Sequence, residues 1–254
     1  MHQDKYILKP FLKEKFNSII WKIEIDTQNC LLAIETRDVE NREAFYSAFD
    51  FEKGEMLFKE VKVEDGWRWG LDRLSKGIVF LHSYVTDQSP EHKGIIALNK
   101  SGNIQWQHFN KTLHDVSNEG LIIYDPKLQP RWLELADAET GQILKSNIKA
   151  YQVPDREILV PDTVTDKQLH PLLPDATVGP IYFINYNGKN CYAYHIRVKE
   201  NFLQQLLITQ DDKVLVRENL TSEIQKLNPE AFFISRNNLF CIRDEKREIV
   251  SYLV

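Results

Sequence analysis

A turn pattern that recurs along the chain limits its fold more than any single residue does. Three segments share it: Ala48-Phe49-Asp50-Phe51-Glu52-Lys53-Gly54-Glu55-Met56-Leu57-Phe58, Ala97-Leu98-Asn99-Lys100-Ser101-Gly102-Asn103-Ile104-Gln105-Trp106, and Leu135-Ala136-Asp137-Ala138-Glu139-Thr140-Gly141-Gln142-Ile143-Leu144-Lys145. In each, an apolar strand end gives way to Asp or Asn, then to Gly, then to a polar residue and a new apolar strand. Asp and Asn start such turns by bonding nearby backbone N–H groups. Gly supplies the left-handed conformation that a short hairpin loop with a bulge requires. The glycines fall at 54, 102 and 141, spacings of 48 and 39 residues. Degenerate fourth and fifth copies, without the Gly, are read at Leu207–Val216 around Asp211-Asp212 and at Phe240–Val250 around Asp244-Glu245.

Repeats of this length with several strands per unit are characteristic of β-propeller blades. The rest of the chain agrees with an all-β class. Apolar residues come in short runs such as Ile78–Tyr84, Ile181–Tyr186 and Tyr192–Val198, rich in Val, Ile, Tyr and Phe and bounded by Gly, Pro, Asn and Asp. Asn187-Gly188 reads as a hairpin turn. The segments with helical or turn character are Thr221–Leu227 and Leu8–Phe16. The expected architecture is a single domain over residues 1–254: a propeller of about five four-stranded blades, closed by pairing of N- and C-terminal strands. In that scheme Ser18–Ile23 is the lone outer strand and Glu248–Val254 ends the blade that lacks one. A large meander or open barrel is the alternative. The Pro-rich stretch 151–180 is read as a long connection or insertion across one face.

The hairpin pattern resembles the blades of pyrroloquinoline-quinone-type propeller repeats, which end in a similar Asp-x-x-Thr-Gly-x-Ile-x-Trp hairpin. The likeness is strongest over Phe45–Ile148. Trp106 holds the final aromatic position, Phe58 replaces it once and Lys145 breaks it once. The chain also looks like propeller-like proteins of unknown function found in bacteria. Such repeats occur in binding modules, assembly factors and enzymes, so the resemblance implies a fold and not a chemistry.

Composition narrows the function classes. The formal net charge is −5 and no dense Lys/Arg tract occurs, so no nucleic-acid partner is expected. Charges at Asp4, Lys5, Lys9, Lys13, Glu14 and Lys15 interrupt any secretory signal, and no apolar run reaches membrane-spanning length. A cytoplasmic location without a membrane partner is the expectation. Cys30, Cys191 and Cys241 are widely spaced, with no Cys-x-x-Cys pair, and read as buried reduced thiols.

Two runs stand out as candidate sites. Glu64-Asp65-Gly66-Trp67-Arg68-Trp69-Gly70-Leu71-Asp72-Arg73, read as a strand, places Trp67, Trp69 and Leu71 on one face and Arg68, Gly70 and Asp72 on the other. Asp65, Trp67, Arg68 and Trp69 are then ligand-binding candidates at a channel mouth, with Arg68 and Arg73 holding an anionic group and a Trp stacking on a ring. The competing reading packs both Trp between blades and pairs Arg68 with Asp72 on the surface. The second run is His114-Asp115, a candidate base or anion contact. His114–Ile122 resembles a His-Asp-x-x-x-x-Gly-x-Leu pattern of propeller-type arylsulfotransferases, although the doubled His of that pattern is missing because residue 113 is Leu.

The other histidines (His82, His92, His108, His170, His195) lack metal-ligand spacing, so no metal or cofactor is expected, and His82 and His195 read as strand-face residues. Asp26, Asp65 and Asp115 are the acids to consider for paired-carboxylate chemistry. No nucleophile elbow, phosphate loop or dinucleotide fingerprint is present. The functional expectation is a ligand- or protein-binding module. A hydrolase or transferase acting on a small anionic or sugar substrate is the alternative.

Overall fold

The computed structural model describes residues 8–86, 91–165, 171–211 and 213–254. It is all-β, built from five antiparallel sheets. The chain divides into two compact units, one of Ser18–Arg156 and one formed by the residues up to Asn17 with Glu157–Val254. Strand β1 (Leu12–Lys15) opens the chain and belongs to the second of these.

The Ser18–Arg156 unit holds three four-stranded meanders. The first is β2 (Ile19–Asp26), β3 (Leu31–Asp38), β4 (Glu43–Asp50) and β5 (Glu55–Val61). The second is β6 (Trp69–Ser75), β7 (Ile78–Tyr84), β8 (His92–Leu98) and β9 (Ile104–His108). The third is β10 (Thr112–Val116), β11 (Leu121–Tyr124), β12 (Leu133–Ala136) and β13 (Ile143–Ile148). The recurring hairpins join the third strand to the fourth in all three. Gly54, Gly102 and Gly141 have φ of 71°, 76° and 71°. Asp50, Asn99 and Asp137 each accept two backbone N–H bonds through Oδ1 within their turns.

The middle sheet explains the unbroken apolar run Ile78-Val79-Phe80-Leu81. Successive side chains of a strand point to opposite faces, and here both faces are covered. Val79 and Leu81 pack with Trp69 and Leu71 against Ala33, Tyr46 and Phe58 of the first sheet. Ile78 and Phe80 pack with Ile95 and Ala97 against Leu113, Leu121 and Ile123 of the third. Each fully buried large side chain of this kind contributes roughly 1.5–3 kcal/mol.

The three first strands of this unit run in the same sense. Lys22 Nζ donates to the Leu71 and Asp72 carbonyls, and at the far end of the same strands Lys76 N–H donates to Asp26 Oδ2. Thr112 Oγ1 donates to the His92 carbonyl, and Lys76 Nζ to that of Asn118. The sheets therefore share an entry end, where β2, β6 and β10 begin, and a hairpin end that carries the repeated turns.

The second unit has two sheets. After β14 (Ile158–Leu159) and β15 (Asp162–Val164) come β16 (Thr177–Tyr186), β17 (Lys189–Val198), β18 (Asn201–Gln210), β19 (Lys213–Ile224), β20 (Phe232–Ser235), β21 (Asn238–Arg243) and β22 (Glu248–Leu253). The sheet orders are β15-β16-β17-β18-β19 and β1-β22-β21-β20-β14. Asn187 and Gly188, with φ of 49° and 73°, make the β16–β17 turn.

Several expectations are corrected. Leu8–Phe16 is not a turn but contains β1, which pairs with β22 from Leu12↔Ser251 to Lys15↔Glu248. The N-terminal strand that completes the last sheet is thus β1, whereas Ser18–Ile23 feeds β2, a member of a full meander. Thr221–Leu227 is not helical. Its first residues end β19, held by pairing of Gln204 with Thr221 and Phe202 with Ile224. Asp211 lies in the β18–β19 turn, as the fourth copy of the pattern implies, and Asp212 is outside the described residues. The fifth copy falls between β21 and β22, a different place in its sheet, because the strand beyond β22 is β1. The Pro-rich stretch supplies β14 and β15 as extra edge strands and runs into β16.

Candidate functional site

The entry end of the Ser18–Arg156 unit gathers most of the chemistry. A β-bulge sits near the start of each first strand. Trp21 lies between Ile20↔Thr36 and Lys22↔Glu35, Asp72 between Leu71↔Leu81 and Arg73↔Phe80, and His114 between Leu113↔Ile123 and Asp115↔Ile122. Bulges re-aim side chains and sharpen twist, and they recur beside functional sites. The same device presents an exposed Trp, a buried carboxylate and an exposed His in turn.

Around Asp72 the bulge builds a buried charged network. Asp72 Oδ2 lies 3.3 Å from His82 Nδ1, and Arg73 Nη1 donates to Asp72 Oδ1 at 3.3 Å. Glu24 faces Lys22 at 3.2 Å, Arg156 at 3.9 Å and Arg73 at 4.0 Å. Burial pushes the Asp72 carboxyl up, but the nearby His82, Arg73 and Lys22 outweigh it and hold the group below its ordinary value. His92 stacks on His82 with ring centroids 3.5 Å apart and planes 10° from parallel. Burial, then the charge of His82, lowers the His92 pKa. Tyr84 stands edge-on to both rings, at 4.8 Å and 5.1 Å.

Glu35 and Arg37, on neighbouring β3, join the first sheet to the second. Arg37 Nε donates to Glu35 Oε1 at 2.5 Å, and Glu35 Oε2 accepts the Leu71 backbone N–H at 2.7 Å. Arg37 also donates to the carbonyls of Trp67 and Trp69, and its guanidinium lies 5.5 Å from the Trp21 ring and 4.9 Å from that of Trp67.

A cleft of about 560 Å³ opens beside this network. His92, Lys93, Thr112, Tyr124, Lys127 and Arg131 are among its lining residues, and Glu91 also faces it. Arg131 lies over the Tyr124 ring at 4.8 Å. By contrast, a cavity of about 380 Å³ in the second unit is lined largely by apolar groups, including Val160, Tyr182, Phe233 and Phe240.

The six residues singled out from sequence fall in two neighbourhoods of the entry end. Gly66–Arg68 form a 3-10 turn, preceded by Asp65 at φ 52°, so β6 begins only at Trp69. The strand alternation expected for Trp67 and Trp69 therefore does not apply. Trp69 is buried in the core, Trp67 packs on Arg37 and Arg42, and Asp65 and Arg68 are exposed. Arg68 does not pair with Asp72, which is buried beside His82 and Arg73. His114 sits 6.1 Å from Tyr124 and from Tyr151, and Asp115 Oδ1 accepts the Val116 N–H. Asp26 lies at the hairpin end and is occupied by Asn29 and Lys76. Sequence reasoning missed Glu35, Arg37, Asp72, His82 and His92 as a group. Their one local trace is Gly70, which pairs with His82 across the β6–β7 ladder.

A family model described as "Domain of unknown function (DUF4905)" matches residues 25–106. That stretch contains Glu35, Arg37, Asp72, His82 and His92 and stops short of His114. No curated protein gives a significant match. Among solved structures, the chain is similar to one described as "Structure of Dos1 propeller", with 14% identity and a TM-score of 0.35. The match covers 94% of this chain and 62% of that one, so the chain spans less than two thirds of that structure's length. None of the described helices is long and apolar enough to cross a membrane.

Proposed function

We propose that this protein is a non-catalytic binding module whose ligand is a small phosphate- or carboxylate-bearing molecule, seated in the cleft at Lys93, Lys127 and Arg131. One observation carries this reading. Three cations that enter no ion pair among the described residues line one open cleft of about 560 Å³, with Glu91 as the acid that faces them. Arg131 is held over Tyr124, and an ordered guanidinium recognises phosphate or carboxylate in two-point fashion at reduced entropic cost. In this reading Asp65, Trp67 and Arg68 on one side, and His114 and Asp115 on the other, shape access to the cleft, and buried Trp69 backs it. Support comes from Trp69, whose ring packs near Gly94 beside Lys93, and from Leu113, which lines the cleft next to His114.

The test is calorimetric titration with inorganic phosphate, a sugar phosphate, a nucleoside diphosphate and a dicarboxylate. At least one is expected to bind with an affinity that falls with salt, and Arg131→Gln to weaken it by about tenfold or more, the loss of one charge-assisted contact. Failure of every anion to bind, or binding indifferent to Arg131→Gln and Lys93→Gln, overturns the reading.

The same reading takes the five sheets as blades of one five-bladed propeller in a single domain. The four-strand antiparallel order repeated along the chain supports it, as does β1 completing the sheet of β20–β22. A propeller of this length has an expected radius of gyration of about 18 Å. A larger radius with a two-body scattering profile refutes it.

A further inference from the structure

Buried imidazoles ordinarily use a ring nitrogen in a hydrogen bond, because unsatisfied polar atoms are costly in a protein interior. His82 is 4% exposed, yet neither Nδ1 nor Nε2 makes a hydrogen bond. Its Nδ1 points to Asp72 Oδ2 at ion-pair distance, and the ring of His92 lies beside it. One donor atom each from Asp72, His82 and His92 falls within 4.8 Å of the other two. Two imidazoles and one carboxylate are the donor set of late divalent ions at sites that keep a coordination position open.

We propose that Asp72, His82 and His92 bind one divalent transition-metal ion, zinc foremost, with water completing its coordination. Three features of the surroundings fit an ion. Gly70 lets the His82 ring hold this place, since a Cβ there would lie 3.0 Å from Nε2, the nitrogen that does not face Asp72. Arg73 engages Asp72 Oδ1 and so fixes the carboxylate while leaving Oδ2, the oxygen beside His82, to the metal. His92 is half-buried and lines the open cleft, which gives the ion an entry path.

Metal–ligand bonds of about 2.0–2.2 Å require the donors to draw closer and the two rings to incline to each other. His92, at the cleft edge, is the ligand that moves, and binding takes it off its stack on His82. Lys22 and Arg73 add positive charge beside Asp72, so the site is weaker than a closed structural zinc site.

The experiment uses the full chain stripped with a chelator and titrated with zinc chloride, with none of the phosphates or carboxylates that test the cleft, so its outcome is independent of the cleft reading. Calorimetry is expected to give one equivalent bound. Cobalt(II) at the same site is expected to give visible d–d bands of a four- or five-coordinate ion. His92→Ala, at a half-buried position, is expected to lower affinity by at least about 100-fold, and Asp72→Asn to do the same. His108→Gln, on β9 with its ring nitrogen 2.7 Å from the Gly141 carbonyl, is expected to leave it unchanged. Absence of stoichiometric zinc binding overturns the proposal. So does binding that survives both His92→Ala and Asp72→Asn, which would place the ion elsewhere.

Discussion

Replacing Glu35 by Ala tests whether the entry end is held by a buried ion pair rather than by apolar packing alone. Glu35 and Arg37 are 1% and 7% exposed. The carboxylate does two jobs, neutralising Arg37 through Oε1 and accepting the Leu71 N–H through Oε2. Removing one partner of such a pair leaves a stranded charge and costs about 3–5 kcal/mol. The orphaned Leu71 N–H adds to that loss, within a total stability of about 5–15 kcal/mol. We expect Glu35→Ala to lose about 4 kcal/mol, a fall in Tm of about 8–16 °C, read from urea unfolding with an unchanged m-value. Glu35→Gln keeps an acceptor for Leu71 but still strands the charge, so it is expected to lose about 1 kcal/mol less than Glu35→Ala. The decisive variant is the double change Glu35→Leu with Arg37→Met. Because apolar residues of similar volume often replace a buried pair without loss, it is expected to recover at least about 2 kcal/mol relative to Glu35→Leu alone. A Glu35→Ala loss under about 1 kcal/mol, or a double variant no more stable than the single one, refutes the reasoning.

Three other outcomes follow from local geometry. Gly141 and Gly188 have nearly the same φ, 71° and 73°, but a Cβ at Gly141 would meet Trp106 at 2.7 Å while one at Gly188 meets nothing within 4 Å. Gly188→Ala is expected to cost about 1–2 kcal/mol of backbone strain and Gly141→Ala about 1–3 kcal/mol more; equal losses in denaturant melts would show that Trp106 gives way freely. Burial pushes the Cys191 and Cys241 thiols up to about 12. Neither is expected to react with a disulfide reagent at pH 8 until the chain unfolds, and rapid labelling of either in native protein would contradict its packing. His195 is fully buried and accepts the Asn228 N–H at Nε2 over 3.0 Å, which only a neutral ring can do, and burial lowers its pKa from 6.5. The unfolded chain then binds the extra proton first, so stability falls as pH drops through about 6.5 toward the lower folded value. Urea midpoints at pH 7.5, 6.5 and 5.5 are expected to fall less steeply in His195→Gln; equal slopes would remove His195 from the acid response.

What could be read from the sequence depended on how far apart the cooperating residues lie. The Gly54, Gly102 and Gly141 hairpins and the Asn187-Gly188 turn are local events, since an Asx turn and a positive φ involve only a few neighbouring residues. They were therefore legible. The run Trp67-Arg68-Trp69 was misread because Asp65 takes a left-handed conformation and starts a 3-10 turn, which breaks the alternation one residue before β6. The Asp72–His82–His92 cluster needs two registers to be known at once: a bulge that shifts β6 by one residue at Asp72, and the β7–β8 pairing that sets Tyr84 opposite His92. Neither leaves a fixed spacing in the chain. Glu35 and Arg37 belong to no motif in the sequence, and only the seating of β3 against β6 buries them.

The two ends of the sheets differ in the same way. At the hairpin end, the turns from third to fourth strand repeat one solution three times, with Asp or Asn bonding the turn and Gly at positive φ, because each must only reverse the chain. At the entry end the segments joining second to third strands are 39–42, 85–91 and 125–132; they differ in length, and Asp38 and Asp125 open two of them with the same Asp bonding but without the Gly. The bulge position there changes from Trp21 to Asp72 to His114. Burying Asp72, His82, Glu35 and Arg37 there costs desolvation that apolar side chains would avoid. That desolvation cost, concentrated at one end of the sheets, is what the proposed cleft and metal readings account for.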